Sequence, residues 1–329
     1  MWVTGFESAS EAAQQLIRSA PLTERSRSEQ CPPWQKGSGM TATQTGPAGR
    51  MQIARGLVSL RERCGLTQTQ VAERAGVSTT TVSRYEAWQD RARIRWATVK
   101  ALADACEATA QERDALVAIA KSQADGWWVG NSAVPGWMDP LVSFEQEAAY
   151  EHVFANTVIP GLLQTQEYAL AIHEAREVRS SNDTIELMVE ARMKRQDILQ
   201  RQPALHLWAV LDEAVLHRTV GDNNIMNRQL EHLHKAALSP NIDVQILPFS
   251  AGAHAAGAGH FVILGRDDER EPLNSMAVVY IEMRRRGLYL DDAEDVGAYK
   301  LTFDYLRSQA ADTTSSLRLI AGARQELSS

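Results

Sequence analysis

Residues 67–86 read TQTQVAERAGVSTTTVSRYE, the pattern of two short amphipathic helices joined by a sharp turn. The hydroxyl of Thr67 can accept from the free amides that begin the first helix. Gly76 supplies the left-handed backbone of a tight turn, and Ser78 can cap a second helix that ends at Glu86. The segment therefore constrains this part of the chain to a small helical unit.

The second helix, Ser78–Glu86, has two chemically different faces. Val82 and Tyr85 have the spacing of side chains that face a core. The opposite face presents small hydroxyls and one guanidinium, which suit the edges of bases in a major groove. We therefore predict contact with double-stranded DNA through Ser78, Thr79, Thr80, Thr81, Ser83 and Arg84.

The segment from Arg50 to about Lys121 resembles the Xre type of helix-turn-helix domain, the five-helix unit of the Cro and phage-repressor family. The resemblance covers a first helix over 53–64, the turn at Gly76-Val77 and the Ser-Arg-Tyr-Glu end of the recognition helix. Two further helical stretches follow. An all-α, five-helix domain is therefore expected here.

The resemblance also implies roles for single residues. Gln68 would hold a phosphate at the N-terminus of its helix, where free amides favour an anion. Arg61 would pair with Glu86. The side chains expected to face bases are Thr79, Thr80 and Arg84. The sequence departs from the family pattern after the recognition helix, where Ala87-Trp88-Gln89-Asp90 replaces the usual Asn-Gly.

Charge favours the same interpretation. Residues 50–100 contain ten Lys or Arg and four Asp or Glu, a net charge of +6, whereas the whole chain carries −7. A basic module on an acidic protein concentrates the affinity for phosphates. Arg91, Arg93 and Arg95 alternate after the recognition helix and are predicted to line the DNA backbone. The alternative is a solvated run of charge.

Other residues of this unit are predicted to be structural. Helical spacing indicates one small core, formed by Leu57, Leu60, Val71, Ala72, Val77, Val82, Val99 and Leu102. Ala72 would lie where two helices cross, so a large side chain there should unfold the domain. The residues assigned structural roles are Arg61, Ala72, Gly76, Val77, Val82 and Glu86. We expect Trp88 and Trp96 to pack beside this core rather than to stack on DNA.

The chain of 329 residues is long enough for two domains. Its hydrophobic content of 44% and charged content of 23% are typical of a soluble globular protein. No run approaches the roughly 20 apolar residues that span a bilayer. The scattered cysteines, Cys31, Cys64 and Cys106, form no Cys-x-x-Cys pair and fit a reducing compartment. We expect a cytoplasmic protein without membrane contact.

Composition also suggests where the domains begin and end. Residues 1–39 are predicted to be a disordered extension, without the apolar core of a signal peptide. Met40 is a candidate start, so residues 1–39 would be either disordered or never translated. The helix-turn-helix domain is assigned to 40–123 and a tryptophan-rich linker to 124–140. We expect its tryptophans to dock at a seam between domains; an exposed aromatic binding platform is the alternative.

From 141 to 320 the pattern predicts an α/β domain with a mixed sheet, followed by a tail at 321–329. Helices are predicted over 145–154 and from a turn at 159–163 to about 177. Three more are predicted from a capping box at Asp183 to before Pro203, over 225–238 and over 292–310. Strands are predicted at 205–211, 242–249, 261–264 and 277–283. The helix over 225–238 is long enough to cross between two parallel strands.

This second half resembles the C-terminal domain of a large actinobacterial regulator family whose N-terminus is of the Xre type. Its landmarks include Pro160-Gly-Leu-Leu-Gln-Thr, Arg195-Gln196 and Gln245-Ile-Leu-Pro-Phe249. In that family the domain has no settled activity. The resemblance implies a transcription regulator, often encoded beside a small partner protein, and an antitoxin-like role has been proposed for some members.

Catalytic motifs of the Gly-x-Ser-x-Gly, Walker and dinucleotide types are absent from the sequence. The Gly/Ala-rich loop over 251–259, with its histidines His254 and His260, leads into a predicted strand, which argues against phosphate binding. Glu213 and His217 have the spacing of two metal ligands on one helix face, but no third ligand accompanies them. Asp212 and Glu282, at strand ends, could face a pocket, but we expect them to hydrogen-bond their own loops. The prediction is a protein without catalytic residues, metal or cofactor.

Two hypotheses for the function follow. In the first, the chain is a sequence-specific transcription regulator whose C-terminal domain dimerises, senses a signal or binds a partner. A homodimer is expected because helix-turn-helix units usually need two half-sites. In the second, the chain is an antitoxin-like protein that sequesters a small protein encoded by a neighbouring gene, and DNA binding serves autoregulation.

Overall fold

The structure, a computed structural model, describes residues 45–89, 93–122, 127–128, 131–177, 180–267, 275–284 and 286–327. The predictions for residues 1–39, for Met40 and for Arg91 lie outside these residues. Contacts join the described residues into one unit.

Five helices form the N-terminal part, as predicted. They are α1 (Pro47–Arg63), α2 (Gln68–Ala75), α3 (Thr79–Glu86), α4 (Trp96–Ala105) and α5 (Ala110–Lys121). Helix α1 begins earlier than the sequence suggested because proline is well suited to a first helical turn. The helices enclose one core, formed mainly by Ile53, Leu57, Leu60, Val71, Ala72, Val82, Val99, Leu102 and Leu116. Val77 packs on it half-buried.

Ala72 lies in this core and is only 3% exposed. We expect Ala72→Leu to lower the free energy of unfolding by roughly 1–3 kcal/mol, because extra methylenes force a close-packed core apart. Ala97→Leu, at an exposed position of α4, is the matched control and should change it by less than about 0.5 kcal/mol. Denaturant unfolding of the full chain compares the two, and equal stabilities would contradict this packing.

A six-stranded mixed sheet forms the C-terminal part, with the order β3-β2-β1-β4-β5-β6. The strands are β1 (Tyr150–Ala155), β2 (His206–Asp212), β3 (Ile242–Leu247), β4 (Phe261–Arg266), β5 (Met276–Met283) and β6 (Arg286–Leu290). Strands β1 to β3 are parallel, and β4 to β6 continue the sheet in antiparallel fashion. The register places Val153 of β1 between Ala209 and Val262.

Helices cover both faces of this sheet. They are α6 (Asp139–Glu147), α7 (Gln166–Arg176), α8 (Asn182–Arg195), α9 (Ala214–His217), α10 (Asn223–Ala236), α11 (Ala293–Gln309) and α12 (Thr313–Leu327). Strand residues alternate between the two faces: Phe154 and Ile263 pack with α11, whereas Val153 and Leu264 join the larger core that includes α10 and α12. As predicted, α10 lies on the crossover between the parallel strands β2 and β3.

Several predictions of single elements were wrong. Residues 150–155 form β1 rather than the end of a helix over 145–154, because the central strand pairs on both edges and context overrides local periodicity. Strand β6 was missed because this edge strand is short, contains Gly287 and is exposed or half-buried along its whole length. Ser181, not Asp183, caps α8. Residues 321–327 lie in α12 rather than in a tail, since Ala323 is buried.

The helix-turn-helix part packs directly on the α/β part. Trp88 is 7% exposed and makes edge contacts with Phe144 and Tyr289, with ring centroids 5.4 and 5.9 Å away. Three residues of α1 enter the same apolar core: Ala48, Met51 and Ala54. The two parts therefore share a core.

Polar contacts and the tryptophan-rich segment add to this junction. Arg55 of α1 donates to the backbone oxygens of Ala277, at 2.7 Å, and of Asp291. Trp128 packs with Val142 of α6 and Ala191 of α8. Trp127, Trp128 and Trp137 of the tryptophan-rich segment are thus docked on the α/β part.

Two acids and an arginine are buried side by side next to β1. The carboxylate of Glu145 accepts from Nε of Arg195 at 2.7 and 2.9 Å, and its side chain is 0% exposed. Although desolvation opposes it, the Glu145 carboxylate raises the pKa of Arg195. Burial raises the pKa of Glu151 to about 8, and Glu145 adds to this shift. One ionised acid, Glu145, therefore neutralises Arg195, while Glu151 is protonated at neutral pH.

Candidate nucleic-acid interface

Capping hydrogen bonds and Gly76 fix where α2 and α3 begin and where α2 ends. The amide of Gln70 donates to Oγ1 of Thr67 at 3.3 Å, and the amide of Thr67 donates back to the Gln70 side chain at 2.8 Å. Gly76 has a φ of +66°, a left-handed conformation that favours glycine. The amide of Thr81 donates to Oγ of Ser78 at 3.2 Å. The capping box therefore fixes the start of α2, while Gly76 and Ser78 form the turn from α2 into α3.

Helix α3 has one buried and one exposed face. Val82 and Tyr85 are buried, and the Tyr85 hydroxyl accepts from the amide of Arg95 at 3.0 Å. Thr81 is half-buried. The predicted contact residues that are exposed are Ser78, Thr79, Thr80, Ser83 and Arg84. The hydroxyls and the guanidinium therefore lie on one exposed face of α3.

Glu86 connects three helices at the base of this face. Its carboxylate accepts from Nε of Arg61 at 2.7 Å and from Nε2 of Gln68 at 2.8 Å. The hydrogen bond that Arg61 donates to Glu86 raises the pKa of Arg61. Gln68 lies half-buried at the first position of α2. Its contact with a phosphate stays a prediction. The network holds the N-terminus of α2 against the end of α3.

The structure shows where the basic residues of this part point. Arg63 and Arg74 form ion pairs with Glu112 and Glu107, so they do not contribute to the face of α3. The exposed residues Arg93 and Arg95 follow α3 and line one groove with Lys121. A DNA phosphate in this groove would have Arg93, Arg95 and Lys121 as its cationic neighbours.

Trp96 does not behave as expected. It is 48% exposed, with Nζ of Lys121 4.8 Å from its ring centroid. The prediction that it packs beside the core was wrong, whereas Trp88 is buried. The sequence did not separate the two tryptophans because each lies beside polar or charged residues, and only the fold decides which of them is covered.

The candidate polar residues of the α/β part are mostly engaged in local contacts. Glu213 accepts from the amide of Phe249 at 2.6 Å and lies 3.8 Å from His217. Asp212 accepts from the amide of Ala214, as predicted. In the part of the chain that the structure describes, no three His, Cys, Asp or Glu side chains are grouped to hold a metal ion. No described helix is long and apolar enough to cross a membrane.

The expectation that Glu282 bonds its own loop was wrong. Its carboxylate accepts from Nη1 of Arg176 on α7 rather than from its own loop. Both residues line a cavity between α7, α8 and the tryptophan-rich segment, together with His173, Arg192 and Arg195. Sequence reasoning missed this group because its members come from separate helices and a strand end. The spacing of Arg192 and Arg195 along one helix face was the available signal.

Two family models match different parts of the chain. The family model described as a domain of unknown function (DUF5753) matches residues 138–322, and a helix-turn-helix domain model matches residues 52–116. The second match indicates DNA binding and a role in transcription regulation. No curated protein and no solved structure matches the chain.

Proposed function

The chain belongs to the family defined by the domain of unknown function DUF5753, and from its helix-turn-helix domain we propose that it is a sequence-specific DNA-binding transcription regulator of the Xre type. Helix α3 lies in the major groove. Thr79, Thr80 and Arg84 face the bases, and Arg93 contacts the backbone. Helix-turn-helix domains of this kind are typically not enzymes, and we propose no catalytic activity.

The observation that carries this proposal is the exposed face of α3. Its hydroxyls and guanidinium lie on a helix whose other side is anchored by Val82 and Tyr85. The capped turn and the Glu86 network hold α2 and α3 as one rigid element. A preorganised helix face of this composition can read base edges with little loss of side-chain freedom.

The shared core bears on what the C-terminal part does. Because Trp88 follows α3 directly and packs on Phe144 and Tyr289, a change in the α/β part would reach the recognition helix through rigid contacts. We propose that this part senses a signal or holds the homodimer. The acidic balance outside residues 50–100 favours a second candidate, in which it sequesters a small protein encoded nearby.

Selection from random double-stranded DNA tests the main proposal. The full chain should enrich a shared sequence, and a homodimer should enrich an inverted repeat with half-sites about one helical turn apart. Recovery of sequences with no shared element would contradict sequence-specific binding. Stable co-purification of a small neighbouring gene product from the native cell would support the second candidate.

A further inference from the structure

A cavity of about 60 Å³ lies on the side of the α/β part, beneath the tryptophan-rich segment. Helices α7 and α8 and the end of β5 supply its polar side, whereas residues 133–138 and α6 supply the opposite wall. One water molecule needs roughly 10–15 Å³ of such space. The cavity therefore has room for a ligand larger than a single water.

Three guanidinium groups meet at this cavity, and only two of them have a carboxylate partner among the described residues. Arg195 is paired with Glu145, and Arg176 with Glu282; Glu177 lies 3.8 Å from Nε of Arg176 at the rim. Arg192 instead donates to the neutral Oε1 of Gln164 at 2.7 Å. In the described residues no carboxylate is paired with Arg192, and burial lowers its pKa to about 10 although Glu282, which pairs with Arg176, opposes this shift.

His173 is a buried polar group that has no hydrogen-bond partner among the described residues. It is 8% exposed, lines the cavity, and neither ring nitrogen has a hydrogen-bond partner among the described residues. Burial, aided by Arg192 and Arg176, lowers its pKa to about 4, so the ring is neutral at pH 7. Leaving such a group unpaired is unfavourable, and a ligand oxygen would accept its N–H.

The remaining walls are apolar. They are formed chiefly by Trp127, Trp137, Met138, Val142 and Met188. Indole rings and thioethers favour a flat, compact and apolar ligand body. Arg192 donates to a neutral amide oxygen, whereas Glu177 and Glu282 also line the cavity. This setting favours a ligand with a single negative charge, because a second anionic group would be buried near these carboxylates without a partner.

We propose that this cavity binds a small organic monocarboxylate, with the carboxylate on Arg192 and His173 and an apolar or aromatic body between the tryptophan and methionine side chains. Guanidinium and carboxylate match in geometry and charge. The site goes beyond the proposed regulatory function and does not rest on it, since its ligand binds whether or not DNA is present.

Calorimetric titration of the full chain with benzoate tests this site in the absence of DNA. Benzoate should bind with a dissociation constant on the order of 1 mM, as expected for a ligand of this size. Benzamide has the same shape without the charge and should bind at least about tenfold more weakly. This comparison uses only the unmodified protein.

Two matched variants on α8 locate the binding. Arg192→Gln should weaken benzoate binding at least about tenfold, whereas Lys194→Gln, on the exposed side of the same helix, should leave it unchanged. Circular dichroism of both variants confirms the fold. No heat of binding up to about 10 mM benzoate, equal affinities for benzoate and benzamide, or unchanged binding to a folded Arg192→Gln variant would each overturn the proposal.

Discussion

Glu145→Gln is expected to lower the free energy of unfolding by about 3–5 kcal/mol at pH 7, because it leaves the guanidinium of Arg195 buried without its counter-charge. The pair is almost fully enclosed, with 0% and 12% of the two side chains exposed. Glutamine keeps the shape and one acceptor oxygen, so the loss measures the charge. Denaturant unfolding of the full chain gives the value.

Glu151→Gln is the matched control, since Glu151 is buried next to the same pair but protonated. It should cost less than about 1 kcal/mol near pH 5. A raised pKa gives stability that is present below the ordinary value of 4.5 and is lost as the pH rises to about 8. Stability of the unmodified chain should therefore fall across this window by at most about 1.4 kcal/mol per pH unit. The stability of the Glu151→Gln variant should fall less across the same window. If Glu145→Gln and Glu151→Gln lower the free energy of unfolding equally at pH 7, the assignment of the negative charge to Glu145 is contradicted.

Trp88→Ala is expected to lower the free energy of unfolding by about 3–5 kcal/mol. The side chain fills the junction between the helix-turn-helix and α/β parts and contacts Phe144 and Tyr289 edge-on. Its indole N–H has no hydrogen-bond partner among the described residues, so the lost contacts are apolar. Thermal or denaturant unfolding of the full chain measures the loss.

Trp96→Ala provides the comparison at the same residue type. Because Trp96 is 48% exposed, its removal should cost less than about 1 kcal/mol. If the two alanine variants unfold alike, then the two parts of the chain do not share a core.

The sequence predicted the elements whose pattern is local. Thr67, Gly76 and Ser78 mark the helix ends of the motif, and each does what its chemistry suggests. The crossover from β2 to β3 was also predicted, since a long amphipathic helix between two apolar runs leaves few alternatives. Strand β1 was not, because its identity comes from pairing on both sides rather than from its own residues.

Contacts between distant segments could not be predicted from the sequence. Trp88 looks like a loop residue until α6 and β6 bring Phe144 and Tyr289 against it. In the sequence Arg192 resembles many other helical cations, and only the fold shows that no carboxylate among the described residues is paired with it. In both cases the deciding property, burial or charge balance, belongs to the fold and not to any window of residues.

The central claim is that α3 reads bases, and one comparison tests it most directly: the affinities of Arg84→Ala and Arg93→Ala for the selected DNA and for its single-base variants. Arg84→Ala should cost about 1–3 kcal/mol and lose the preference at one base position. Arg93→Ala should weaken binding to all sequences alike and reduce the slope of log affinity against log salt by about 1. If Arg84→Ala instead weakens every sequence equally, the exposed face of α3 contacts phosphates and does not read the bases.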